Sequence, residues 1–399
     1  MRYSCANSKA FTVTTLHKKI YLDYAATTPT APEVLEAMLN HLKMDGTFAN
    51  PASTQHFFGE QANQKIDTAR EQIAAIFKAN PSDFIFTSGT TEANNLVLKS
   101  VAYRFQAHGK HIITSSTEHK CVLDSCQFLE TQGFQVTYLK PNSDGLIDLN
   151  ELENCITAAT ILVSIMHVNN ETGVIQHIEK IAEIVAEHGC FFHVDAAQSV
   201  GKLSIDLSEI PISFLSFSAH KFYGVKGIGG LYCRNRAKLK LAPQLHGGGQ
   251  EYGLRSGTLP THQIVAMTAA LNWATENRIA DYEHAKMLKN SLLKQLPAFI
   301  LNGSQDFTLP NIVNLSFDNV SADSLIIALR NEVAIASGSA CNSGAVEASH
   351  VLRAMGIEGE RLYGAVRLSF GRYTTLDDID FAAKRISEEV LRLQQLANS

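Results

Sequence analysis

The 399-residue chain is 45% hydrophobic and 18% charged, the balance of a folded protein rather than a disordered one, and it is long enough for two or three domains with a well-buried core. Its formal charge of -5 gives no electrostatic case for direct nucleic-acid binding or an anionic membrane, and no run reaches the ~18 uncharged apolar residues that a membrane helix needs. Seven scattered cysteines (Cys5, Cys121, Cys126, Cys155, Cys190, Cys233 and Cys341) form no CxxC and no zinc-spaced cluster, so no metal site is expected and a reducing, cytoplasmic setting fits best.

Residues 1–20 carry Arg2, Lys9, Lys18 and Lys19 with no acid before Asp23. Their poor amphipathic pattern favours a plain N-terminal extension over an organellar transit peptide, which leaves targeting open. Beyond it, short apolar runs at 84–86, 111–113, 161–166, 191–194 and 213–217 read as buried strands. Amphipathic stretches over 94–108, 121–132 and 178–188 lie between them, closing on Gly109, Gly133 and Gly189. The alternation predicts an α/β fold, a mainly parallel sheet flanked by helices, over 21–261. After Thr261 the texture becomes a long helical period, strands near 312–317 and 366–370, a helix near 324–330 and a charged amphipathic helix from Thr375. This predicts a smaller α+β domain over 262–399.

In sheets of this kind ligands collect at the carboxyl ends of the strands. Thr90 and Thr91, His119, Asn169 and Asn170, Asp195 and Lys221 all follow predicted strands, so one pocket could hold them. Lys221, directly after an apolar run, is suited to form a Schiff base with an aldehyde cofactor, and Asp195, one βα unit upstream, to keep a pyridinium nitrogen protonated. The pair suggests pyridoxal phosphate. Ser88-Gly89-Thr90-Thr91 is either a phosphate cradle at a helix start or a plain N-cap. His119 could stack on a planar ring or exchange protons, whereas His193, deeper in its apolar run, reads as core or as support behind the site. Gly247-Gly248-Gly249-Gln250-Glu251 with Arg255-Ser256-Gly257-Thr258 is either an anion site or a connector. Arg367, a charge inside a strand pattern, is either a structural ion pair or a fork for a carboxylate. Cys341 lies in a run of small residues, 335–344, that reads as a mobile loop; its thiol is either packing or a nucleophile.

Taken in order, these segments resemble the cysteine desulfurases of the class V aminotransferases, enzymes of fold type I. The matching stretches are Tyr21-Leu22-Asp23-Tyr24-Ala25-Ala26, Thr117-Glu118-His119-Lys120, His167-Val168-Asn169-Asn170-Glu171-Thr172-Gly173, Asp195-Ala196-Ala197-Gln198, Ser218-Ala219-His220-Lys221, Arg255-Ser256-Gly257-Thr258 and Gly338-Ser339-Ala340-Cys341. The resemblance implies that Lys221 bonds the cofactor, Asp195 pairs with its ring nitrogen, Gln198 bonds its phenolic oxygen, and Thr90, Thr91, Ser218 and His220 hold its phosphate. Thr258 would reach in from the other subunit of a homodimer. His119 would stack on the ring and move protons, Asn170 and Arg367 would hold the carboxylate of L-cysteine, and Cys341 would accept the sulfur as a persulfide.

The chain ends at Ser399, soon after the last helix, whereas members that dock an iron-sulfur scaffold often carry a further tail. The sulfur acceptor, an iron-sulfur scaffold or a tRNA-thiolation enzyme, stays open at this level. The alternatives are another enzyme of the same fold, such as a selenocysteine lyase or aminotransferase, or a catalytically idle sulfur-transfer scaffold. A nicotinamide enzyme is disfavoured because no G-x-G-x-x-G follows the first strand.

Overall fold

The computed structural model describes residues 19–338 and 348–397. A short strand β1 (Ile20–Tyr21) and the helices Pro32–Leu39 and Phe57–Phe77 precede the main sheet. Its strands are β2 (Phe84–Thr87), β3 (His111–Ser115), β4 (Gln135–Leu139), β5 (Thr160–Met166), β6 (Phe191–Asp195), β7 (Phe214–Ser218) and β8 (Gly229–Cys233). They lie in the order β2-β8-β7-β6-β5-β3-β4, and only β8 runs against its neighbours. This is the α/β architecture expected from the sequence.

The continuous apolar runs arise because both faces of the sheet are covered. Ile85, Ile112, Leu162 and Phe214 pack into one cluster with Leu96, Val97, Val122 and Leu129 of the helices Thr90–Phe105 and Lys120–Thr131. Their chain neighbours Phe84, Phe86, Ile113, Val163 and Leu215 pack into another with Ile66 and Ile73 of helix Phe57–Phe77 and Ile181 of helix Ile178–Glu187. Alternate residues thus serve opposite faces, as the period of a strand requires. His193 is fully buried within this sheet, its ring nitrogens bonded to Ser164 Oγ at 2.8 Å and Ser216 Oγ at 3.0 Å. Burial lowers its pKa to about 3, so it is a neutral core ring.

The smaller unit holds β9 (Ile300–Leu301), β10 (Ile312–Ser316), β11 (Val333–Ala334), β12 (Ala336–Ser337) and β13 (Ala365–Ser369). Four of these form an antiparallel sheet, β12-β13-β10-β9, covered by the helices Ala322–Leu329 and Leu376–Ala397. The last helix begins with a capping box: Thr375 N donates to Asp378 Oδ2 at 2.9 Å and Asp378 N to Thr375 Oγ1 at 3.1 Å.

The seam between the units does not follow the chain cleanly. Helix Thr261–Gln295 begins at the expected boundary, yet Ile264, Met267 and Leu271 belong to the larger core and Leu288 and Leu292 to the smaller. At the other end Ile20 and Leu22 join the smaller core, because β1 pairs in parallel with β11.

Candidate active site

A cavity of about 560 Å³ opens at the carboxyl ends of the parallel strands. Thr90, Thr91, His119, Asn170, Asp195, Gln198, Ser218, His220, Lys221 and Arg367 all line it. Thr258 does not: within its own chain it borders a separate groove beside Asn50 and Pro51. Cys341 lies outside the described residues.

One wall is the turn from β2 into helix Thr90–Phe105. Gly89 caps that helix at φ 150°, where a side chain would be strained, and contributes no capping group of its own. The first-turn amides and the positive helix end therefore face the cavity, and Thr90 Oγ1 is buried without a hydrogen-bond partner among the described residues. Gly229 of β8 backs onto this turn so closely that a Cβ there would sit 2.7 Å from Gly89 Cα. Ser218 Oγ faces Gly89 from the end of β7. An unpaired hydroxyl beside open amides is chemistry that fits a phosphate.

Lys221 sits in the tight turn Ala219–Lys221 directly after β7. Its Nζ donates to the carbonyls of Ala25 at 2.6 Å and Ala26 at 2.8 Å. The 25–28 stretch is tied down in turn, by Gln198 Nε2 to Ala25 O at 2.8 Å and by Thr28 N to His220 O at 2.9 Å. His220 shares a hydrogen bond with Thr27 Oγ1 at 3.2 Å, and burial together with the nearby Lys221, Lys226 and Lys202 cations lowers its pKa to about 4. It is a neutral donor or acceptor at neutral pH.

Asp195 ends β6, buried, with Asn94 Nδ2 donating to Oδ2 at 2.7 Å and Ala197 N to Oδ1 at 2.9 Å. His119 caps helix Lys120–Thr131: its Nδ1 accepts from Cys121 N at 3.2 Å, which places the ring proton on Nε2. Burial lowers its pKa, Asp195 opposes and Lys221 adds, leaving a neutral ring able to take up a proton. Behind it Glu118 is fully buried, its Oε1 accepting from Met166 N at 2.7 Å and its Oε2 without a partner among the described residues. Burial raises its pKa well above the carboxylate range, so it stays a neutral acid there.

The far wall comes from the smaller unit. Arg367 of β13 pairs with Asp23 Oδ1 at 2.7 Å and donates to Asn170 O at 2.8 Å, while its Nε is buried without a partner among the described residues. The strand charge is therefore both an ion pair and an incompletely used fork facing the cavity. Asn169, in contrast, is a turn residue: its Oδ1 accepts from Glu171 N at 2.9 Å and Thr172 N at 3.0 Å. Asn94, Glu118 and Asp23 were assigned no part from sequence. Each lies in or beside a motif, but its partner is a residue distant along the chain.

A carboxylate at a strand end, a lysine at the next, a helix start with a buried unpaired hydroxyl and an arginine on the far wall are a set that could hold pyridoxal phosphate. The class-V aminotransferase family model matches residues 20–381. The chain belongs to that family. Within it the chain stands with the cysteine desulfurases, which depend on pyridoxal phosphate. It is 51% identical to cysteine desulfurase IscS of Vibrio campbellii over 381 residues, 95% of this chain and 94% of that one. Among solved structures, a NifS-like protein superposes with a TM-score of 0.88 at 35% identity, covering 94% of this chain and 100% of that chain. A structure titled SspA in complex with cysteine gives 0.80 at 41% identity, covering 90% and 100%.

Proposed function

We propose that this chain converts L-cysteine to L-alanine and passes the sulfur to Cys341 as a persulfide, for delivery to an acceptor protein. The observation that carries the reading is the convergence of Lys221, Asp195, His119 and Arg367 on one cavity beside a phosphate cradle. Pyridoxal phosphate, when bound, supplies a ring that withdraws electrons from a substrate carbon. Thr90, Thr91, Ser218 and His220 would hold its phosphate, Asp195 its ring nitrogen, Gln198 its phenolic oxygen, and Lys221 would bond its aldehyde.

The chain's own groups then divide the work. Arg367 and Asn170 orient the substrate carboxylate, with the spare Arg367 Nε as the unused donor. Lys221 Nζ takes the proton from the substrate Cα, and the neutral His119 ring receives or returns protons beside it. The Cys341 thiolate forms a bond to the substrate sulfur as the Cβ–S bond breaks; the electron pair stays with carbon, which gains a proton and leaves as alanine.

A homodimer is part of the proposal. Thr258 lies outside its own chain's cavity, and next to its groove stand Phe48, Phe57 and Phe58, with Phe57 63% exposed. A patch of that kind beside a misplaced site residue supports a second copy covering it. The five described cysteines carry free thiols, in keeping with the reducing cytoplasm we propose as its setting. The acceptor class we propose is an iron-sulfur scaffold or a tRNA-thiolation enzyme.

Mass spectrometry after adding L-cysteine tests the reading. A sulfur adduct on Cys341 and one alanine per sulfur are expected. Cys341→Ala should lose sulfur release while keeping the cofactor absorbance, and Lys221→Ala should lose the native band. Undiminished sulfur release by Cys341→Ala would defeat the proposal.

A further inference from the structure

The mechanism leaves one buried acid next to the substrate-binding wall without a task. Glu171 follows Asn170, the residue whose carbonyl Arg367 holds, and its main chain is fixed by Asn169 Oδ1 at 2.9 Å and by Asn314 Nδ2 at 3.3 Å. Its side chain turns away from the cavity and is buried. There the Ser349 hydroxyl donates to Glu171 Oε2 at 2.5 Å. The main chain of Gly338 lies against the same carboxyl, so closely that a Cβ at Gly338 would collide with Oε2.

Gly338 and Ser349 flank residues 339–347, which include Cys341, and Gly338 also lines the main cavity. Ser349 passes the restraint on: its Oγ accepts from Leu352 N at 3.1 Å, capping helix His350–Ala354, and His350 Nε2 bonds the Glu118 carbonyl at 2.9 Å, one residue before His119. One carboxyl thus bonds one flank of this segment and packs against the other, beside the residues that line the substrate wall.

We propose that Glu171 is a positioning residue for sulfur transfer: by bonding Ser349 and packing against Gly338, it sets the two points between which the Cys341 segment runs, relative to Asn170 and Arg367. The inference rests on the reading that Cys341 takes the sulfur. Burial, opposed by Ser349 and Arg367, raises the Glu171 pKa to about 7, and glutamine is a near-isostere that keeps an acceptor for the Ser349 hydroxyl.

The test follows one turnover of the holoenzyme with L-cysteine, reading the change in cofactor absorbance and the rate of persulfide formation on Cys341. Glu171→Ala should keep the absorbance change within about twofold while slowing persulfide formation by about tenfold to a hundredfold, the scale of a misplaced reacting group. Glu171→Gln should return it to within about threefold of the parent. Ser349→Ala, which removes only the hydroxyl, should slow the same step and serves where Glu171→Ala does not fold. Unslowed persulfide formation in both alanine variants, or an equal loss of both readouts, would overturn the inference. Alanine formation by the parent enzyme without any persulfide on Cys341 would overturn the underlying reading and the inference with it.

Discussion

Removing the Glu251 carboxyl should unfold the edge of the main sheet that leads into the phosphate cradle. β2 is an edge strand, and its Phe84 carbonyl accepts from Arg70 Nη1 at 2.6 Å while its Phe86 amide donates to Glu251 Oε2 at 2.6 Å. The two side chains pair through bonds of 2.7 and 3.0 Å, with side-chain exposures of 8% for Arg70 and 1% for Glu251. The ion pair therefore stands where a further strand would, satisfying groups that would otherwise invite pairing with another chain. In Glu251→Ala the guanidinium keeps its burial but loses its counter-charge, and the Phe86 amide loses its acceptor. Breaking a buried pair from one side costs about 3–5 kcal/mol, a factor of a hundred to several thousand in the folding equilibrium. Urea titration followed by far-ultraviolet circular dichroism and by cofactor absorbance should show that loss, with the cofactor signal lost first. Arg70→Met with Glu251→Leu, which removes both charges, should recover most of it. A loss below about 1 kcal/mol in the single variant, the value of an exposed pair, would refute the reasoning.

Gly229→Ala should press on Gly89 and on the Phe217 carbonyl, costing about 1–3 kcal/mol and weakening retention of pyridoxal phosphate in dialysis; unchanged retention and stability would contradict the close approach seen there. Acid should weaken the contribution of the buried histidines before carboxylates titrate in bulk. Burial lowers the pKa of His167 and His193 to about 3, and burial with neighbouring lysines lowers His220 to about 4, all from 6.5. Below pH 6.5 the unfolded chain takes up protons at these rings that the folded chain refuses, so their contribution to stability falls as pH drops toward about 4, while the buried Glu118 and Glu171, with raised pKa values, take up protons in the folded chain and offset part of that loss. Between about pH 7.5 and about pH 5 the urea midpoint should change less favourably in the parent than in His193→Gln, and equal changes in the two would count against a neutral, buried His193 ring.

The sequence made some of this plain and hid the rest for physical reasons. β5 and β7 are apolar throughout because both faces are covered, and such runs stand out. β4 is half-exposed at the opposite sheet edge and so is not a continuous apolar run, and β8 carries Gly229 and Gly230, which weaken its strand signal. The glycines of β8 are there for Gly89 and for the Phe217 ring, a reason visible only once the strands are side by side. Thr90, Thr91, His119, Asn170, Asp195 and Lys221 were legible because each follows a strand, whereas Gln198, Ser218 and His220 were reached only through the family resemblance. The Asn94 bond to Asp195 and the Arg367 pair with Asp23 were not legible, since they join residues 101 and 344 positions apart. The Tyr21–Ala26 motif was recognisable, yet that its carbonyls receive the Lys221 amine depends on how the chain start crosses the site.

Helix Thr261–Gln295, at 35 residues and about 1.5 Å per residue, is a rod about 50 Å long with one end sunk in each core. Arg372 of the smaller unit ties to its midsection, paired with Asp281 at 2.9 Å and lying over the Trp273 ring. Parting the two units would bend this rod or draw one end out, at about 1.5–3 kcal/mol for each large apolar side chain withdrawn. The units are dowelled together, and this shared helix opposes their parting, which favours entry and exit through displacements at the cavity mouth.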